Sequence, residues 1–195
     1  MTALDPARII PVVIDITKTT DTEKAATEAQ DITLLINNAG VFKSHNVLTS
    51  PQEQLREDME VNYYGTLNMV RNFAPILEKN NGSVVNIISM VALANAPGLG
   101  GYSASKAALY SLTQSLRVDL GKKGINVHGV FPGLIDTDMT KDFDMAKTPP
   151  KNVAEAVLAG VEKGDEDIYP DPMAEQLQEL RVQDYKAFEK QLGTF

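Results

Sequence analysis

The chain has 195 residues, no cysteine and a formal net charge of −8. One domain is the default at this length, with a core that buries roughly 70% of the unfolded surface, and the absent cysteines exclude disulfides, thiolate catalysis and Cys-ligated zinc. The acidity argues against a nucleic-acid surface; with no apolar run of membrane-spanning length and no signal-like start over residues 1–5, the sequence points to a soluble, cytoplasmic protein with no membrane partner.

Residues 9–14 are apolar and mostly β-branched, and predict a buried strand ending at Asp15 and Ile16, with Pro11 near its start or at an edge. A helix is predicted over 22–30. A second buried strand follows over 32–36 and ends in the turn signal Asn37-Asn38-Ala39-Gly40. Ser50-Pro51 opens a helix whose apolar period runs over 51–78, with Pro75 kinking its end or beginning a new turn. Asn81-Gly82 turns into a third apolar strand over 83–89. A loop over 94–101 leads into a helix over 102–120, ended by Gly121 and Gly124. A fourth strand over 125–131 stops at Pro132-Gly133. A helix over 152–162, a short strand at Asp167-Ile168-Tyr169 and a polar C-terminal helix over 172–191, capped by Asp171, complete the chain.

Strands alternate with helices, and the strands are continuously apolar rather than alternating. That pattern predicts a parallel α/β sheet, doubly wound and buried on both faces. Ligands of such sheets sit at the carboxyl ends of the strands. Asp15, Asn38-Ala39-Gly40, Ser89 and Pro132-Gly133 all fall there.

The chemistry centres on Tyr102 and Lys106, four residues apart and so on one helix face. A free phenol has a pKa near ~10. An ammonium about 4 Å away, at an effective dielectric of about 20, is worth roughly 4 kcal/mol and lowers that value by up to ~3 units. Tyr102 would then exchange protons near neutral pH. Each other candidate also has a plain structural reading. Asn62 can be a satisfied polar residue that bends its helix, and Ser89 a strand end. Asn37 and Asn38 can be turn chemistry, Pro132-Gly133 a strand terminator and Asp15 a turn cap. His45 and His128 lie in unrelated contexts, and no metal site is expected.

Together these residues resemble the short-chain dehydrogenase/reductase family over the chain from Ile9 onward. Asn37-Asn38-Ala39-Gly40 matches the family's NNAG, and Asn62 its helix asparagine. Ser89 stands 13 residues before Tyr102, Tyr102 and Lys106 match YxxxK, and residues 132–137 match PGxIxT. The resemblance implies a Rossmann-type fold and an oxidoreductase that moves a hydride between NADP or NAD, NADP slightly favoured, and a small-molecule alcohol or carbonyl. It implies that Tyr102 exchanges the proton with the substrate oxygen and that Lys106 lowers its pKa and bonds the nicotinamide ribose. Ser89 would hold the substrate oxygen, and Asn62 would order a water in a proton relay. Asp15 and Ile16 would line the adenine, Asn38, Ala39 and Gly40 the ribose, and Ile135 and Thr137 the carboxamide beside Pro132 and Gly133. Helices 51–78 and 102–120 would pair copies as a homodimer or homotetramer, and residues 138–150 would be a mobile substrate loop.

The family's opening strand, glycine-rich turn, first helix, second strand and second helix have no counterpart ahead of Asp15. Gly98-Leu99-Gly100-Gly101 is not the dinucleotide fingerprint. The expectation is therefore an incomplete, N-terminally truncated sheet. In the family's strand order, 3-2-1-4-5-6-7, the gap beside strand 32–36 is about 14 Å at ~4.8 Å per spacing. Strand 9–14 is expected either to move next to 32–36 or to be poorly placed. The alternative function is a catalytically inactive chain that keeps the family's association surface.

Overall fold

Strands β1 (Leu34–Asn37), β2 (Ser83–Ile87), β3 (Asn126–Val130) and β4 (Asp167–Ile168) form one parallel sheet in that order. They belong to a computed structural model that describes residues 8–43 and 46–194. His45 and residues 1–5, which entered the reading above, lie outside the described residues. Leu34 stands opposite Ser83, Ser83 opposite Asn126 and Gly129 opposite Asp167.

The crossovers put helices on both faces, which is why Val84 and Val85 of β2 and Val127 and Val130 of β3 are all buried. On one face Val84 and Val127 pack with Ala25 of α1 (Thr19–Glu28), with Phe73 and Leu77 of α3 (Thr66–Asn80), and with Leu120 of α4 (Gly100–Gly121). On the other, Val85 and Val130 pack with Val157 of α5 (Pro150–Lys163) and Ile168. A third cluster caps the strand ends, where Ile88, Met90 and Phe131 meet Leu177, Phe188 and Leu192. A buried polar chain braces the middle. Asn37 Nδ2 donates to Asn86 Oδ1 at 2.8 Å, and Asn86 Nδ2 donates to the Thr113 hydroxyl of α4 at 2.9 Å.

Residues 9–14 do not form the predicted strand. Their backbone joins no sheet, and Ile10 and Val13 are 87% and 100% exposed. The chain just beyond is held elsewhere: Asn68 donates to the Ile16 carbonyl at 3.1 Å, and Asn72 donates to the Thr22 hydroxyl of α1 at 2.7 Å. The Ile16 side chain sits so close over Gly65 that a Cβ there would lie 2.7 Å away. These anchors tie the segment to the long helix, and no neighbouring strand is at hand to satisfy its backbone. The outer edge of β1 is thus unpaired among the described residues. Ile36 on that strand is 45% exposed, against the expectation of burial on both faces.

Three helix boundaries also differ from the sequence pattern. The long helix is α2 (Gln52–Met59) joined to α3 through a π turn at Glu60–Gly65. Pro75 sits inside α3, which continues to Asn80 and stops where Asn81 turns left-handed, φ 52°. The predicted helix over 172–191 is two, α6 (Pro172–Gln183) and α7 (Tyr185–Leu192). Asp184 breaks it because its carboxylate accepts from Ala187 N and caps α7.

Candidate active site

Two cavities open at the carboxyl ends of the strands. The larger, about 760 Å³, has Asn38, Ala39 and Gly40 from the loop after β1 on one side. Lys106 of α4 lines it too, with Ile135 and Thr137 from the loop after β3. The smaller, about 140 Å³, lies under residues 139–145. Ser89, Tyr102, Pro132, Gly133, Met139 and Thr140 line both, so Ser89 and Tyr102 stand on the wall between them. Asp15 and Ile16, expected at the adenine, line neither cavity. Asp15 instead accepts from the backbone and hydroxyl of Thr17, which lowers its carboxyl below the ordinary range, and Ile16 is spent on Gly65.

Asn62 sits in the π turn, where one extra residue re-aims the side chain across the helix. Its Oδ1 accepts from Val41 N at 2.9 Å; its Nδ2 donates to Val41 O at 3.0 Å and to Ser105 Oγ at 2.9 Å. Ser105 in turn donates to the Tyr102 carbonyl at 2.7 Å. The side chain therefore stitches the loop after β1 to the first turns of α4. Asn62→Ala leaves both Val41 groups unpaired, each a cost of about 1–3 kcal/mol. Urea unfolding of that variant is expected to show a loss of roughly 2–4 kcal/mol.

Tyr102 and Lys106 come together on α4, with the ammonium 5.7 Å from the centre of the phenol ring. The expected lowering of the phenol pKa is not found. Desolvation pushes Tyr102 up to about 12; the Ser89 hydroxyl pulls the other way, and the Asp58 carboxylate adds to the rise. The Lys106 ammonium is turned to the Ile87 carbonyl, to which it donates at 2.7 Å, and burial pulls Lys106 down to about 8. Tyr102 is accordingly a protonated donor at neutral pH.

The depressed Lys106 pKa has a stability consequence of definite sign. Between pH 8 and 10.5 the unfolded chain holds a proton there that the folded chain has released. Stability from this group therefore rises with pH through that window and falls as pH drops through about 8. Lys106→Met is expected to remove about 2 kcal/mol of the stability change between pH 7.5 and 9.5, read from urea midpoints of both proteins at the two pH values.

Two further residues shape the site without having been singled out for it. Asp171, read from sequence only as a helix cap, does cap α6 through Ala174 N at 3.0 Å. Its other oxygen accepts from Gly133 N at 2.8 Å and so fixes the wall between the cavities. No local pattern reveals that partner, which lies 38 residues away. Ser105 lay inside the Tyr102–Lys106 stretch, but only the position of Asn62 discloses its role. The loop expected over 138–150 is closed at its neck, since Thr148 N donates to Leu134 O at 2.9 Å and Asp136 N donates to Thr148 O at 3.0 Å.

A parallel sheet with helices on both faces and a groove across its strand ends defines a doubly wound α/β domain. A family model of the short chain dehydrogenases matches residues 2–148. An uncharacterized oxidoreductase of Staphylococcus saprophyticus is 32% identical over 145 residues, which are 72% of this chain and 62% of that protein. An uncharacterized oxidoreductase of Staphylococcus aureus strain MRSA252 is 31% identical over 164 residues, 80% and 70% of the two chains. The crystal structure of a short chain dehydrogenase from Burkholderia cenocepacia J2315 in complex with NADP superposes with a TM-score of 0.93 at 39% identity. That match covers 98% of this chain and 81% of the other. The chain belongs to the short-chain dehydrogenase family. It spans less than two thirds of the Staphylococcus saprophyticus relative's length. No helix among the described residues is long and apolar enough to cross a membrane.

Proposed function

We propose that the chain carries the catalytic core of a nicotinamide-dependent oxidoreductase that interconverts a carbonyl and an alcohol. One observation carries the reading: Ser89 and Tyr102 present hydroxyls to both cavities at once, with Lys106 on the larger side. A reacting carbon between two compartments, one for each reactant, needs its proton donor on their common wall.

The larger groove suits the nicotinamide end of NADP or NAD. Beyond Ser89 and Tyr102, its donors include Lys106, Asn38 and Thr137, set beside the apolar side chains of Ile87 and Ile135. Among the described residues that line it Lys106 is the one cation, so support for the pyrophosphate is thin. The Burkholderia relative is solved with NADP, which makes NADP the first cofactor to try. The bound nicotinamide supplies or accepts the hydride.

The rest of the chemistry belongs to this chain. Tyr102, holding its proton at neutral pH, donates it to the carbonyl oxygen during reduction and takes it back during oxidation. Ser89 orients the same oxygen. Lys106 carries charge into the groove and favours the phenolate that forms when the proton leaves. Asn62 and Ser105 keep the first turn of α4 in register with the loop after β1.

A second reading, a chain that serves association only, draws on the unpaired edge of β1 and on the exposure of Tyr64 and Val118, 47% and 62%, on the helices expected to pair. Fluorescence titration with NADPH and then NADH separates the two, because the chain has no tryptophan to interfere. Micromolar binding supports the enzyme. A folded dimer that binds neither nucleotide supports the association chain and sinks the first reading.

A further inference from the structure

Resting on that reading of the site, we infer that the smaller cavity takes an uncharged ketone, or the matching secondary alcohol, bearing an apolar substituent about the size of a benzene ring. The cavity is apolar almost throughout. Phe42, Met90, Leu134, Phe143, Met173 and Leu192 supply much of its wall. Among the described residues its only side-chain N–H or O–H groups are the hydroxyls of Ser89, Tyr102 and Thr140, and Thr140 already donates to the Ile135 carbonyl. Two hydroxyls therefore remain, side by side on the wall shared with the larger groove. That is enough for one carbonyl oxygen and for nothing else polar.

The charged groups nearby line the other compartment. Lys106 and Asp138 face the larger groove, and among the described residues no Asp, Glu, Lys, Arg or His lines the smaller one. A carboxylate or phosphate on the substrate would lose its water with no counter-charge to replace it. Each additional hydroxyl of a polyol would likewise go unpaired, so hydroxy acids, sugar phosphates and sugars are disfavoured.

Size and wall chemistry narrow the class further. A dry apolar cavity of about 150 Å³ accommodates benzene, and this one has about 140 Å³. Its mouth is aromatic: the Phe42 ring meets the Tyr102 ring edge-on at 5.3 Å and the Phe143 ring at 6.1 Å. Met90, Met139, Met145 and Met173 line the rest. Thioethers adapt to irregular shapes and make favourable contacts with ring edges. Aromatic or branched aliphatic substituents fit this wall, with the carbonyl carbon at the Ser89 and Tyr102 end.

The methionines also provide the test. The full chain, labelled with ¹³C at the methionine methyls, is titrated with acetophenone and separately with pyruvate and dihydroxyacetone. Acetophenone is expected to shift the methyls of Met90, Met139 and Met173 saturably, at affinities about 100-fold above those of the two polar ketones. The assignment is overturned if acetophenone leaves these methyls unmoved, or if pyruvate or dihydroxyacetone saturates them equally well. Turnover with NADPH or NADH is measured on the same three ketones. Saturable acetophenone binding without nucleotide binding or turnover supports the cavity's apolar preference and tells against the oxidoreductase reading. Turnover favouring pyruvate or dihydroxyacetone over acetophenone retains that reading and overturns the substrate class.

Discussion

Tyr102→Phe is expected to lower kcat for carbonyl reduction by about two to four orders of magnitude, the usual worth of a positioned general acid. Nicotinamide affinity should stay within a few-fold of the parent. The substitution removes one oxygen and keeps the ring, so the edge-on contact with Phe42 at 5.3 Å survives. Burial makes the effect cleaner. With the phenol pushed up to about 12, Tyr102 rests as a neutral O–H donor at neutral pH, and that donor is the group that is lost. Steady-state kinetics together with a nucleotide titration on the same preparation decide the matter. A variant that turns over within tenfold of the parent would remove Tyr102 from the chemistry and with it the reading of the shared wall.

Asp171→Ala is expected to cost about 3 kcal/mol of stability. The carboxylate is 3% exposed and accepts from two backbone N–H groups, one at the start of α6 and one on Gly133. Alanine leaves both donors without their partner. At this chain length the loss corresponds to a fall in Tm of roughly 6–12 °C. Asp171→Asn keeps an acceptor for Ala174 N and should recover part of it. The same change releases the Gly133 wall, so nucleotide affinity should fall alongside stability in Asp171→Ala. Calorimetry and the NADPH titration together test the pairing; weakened stability with unchanged affinity would mean that Gly133 is held by its own loop.

Much of the site was legible because parallel strands deliver their carboxyl ends to one place. Asn38, Ser89 and Pro132 come from separate segments, and strand pattern alone brought them to one edge. What stayed illegible depended on partners distant in sequence. The apolar residues 9–14 have the composition of a strand, but composition does not supply a neighbour, and Val13 ends fully exposed. Helical spacing put Lys106 beside Tyr102 but could not tell that its ammonium would turn to Ile87, nor that desolvation would outweigh it. The break at Asp184 was hidden because α6 and α7 together carry one continuous helical period.

The sheet's connectivity also bears on how the chain reaches this state. Neighbouring strands are far apart along the chain: Asn37 of β1 meets Asn86 of β2 49 residues on, and Gly129 of β3 stands opposite Asp167 of β4. Each pairing must close a long loop before it gains anything, which makes parallel sheets slow to fold, in the range of about milliseconds to seconds for such topologies. During that interval β1 offers an open backbone edge to any other chain in solution, and the apolar Ile10, Val12 and Val13 lie exposed upstream of it. Refolding yield should therefore fall steeply with protein concentration. Dilution, rather than added time, is what should raise the recovery of folded material.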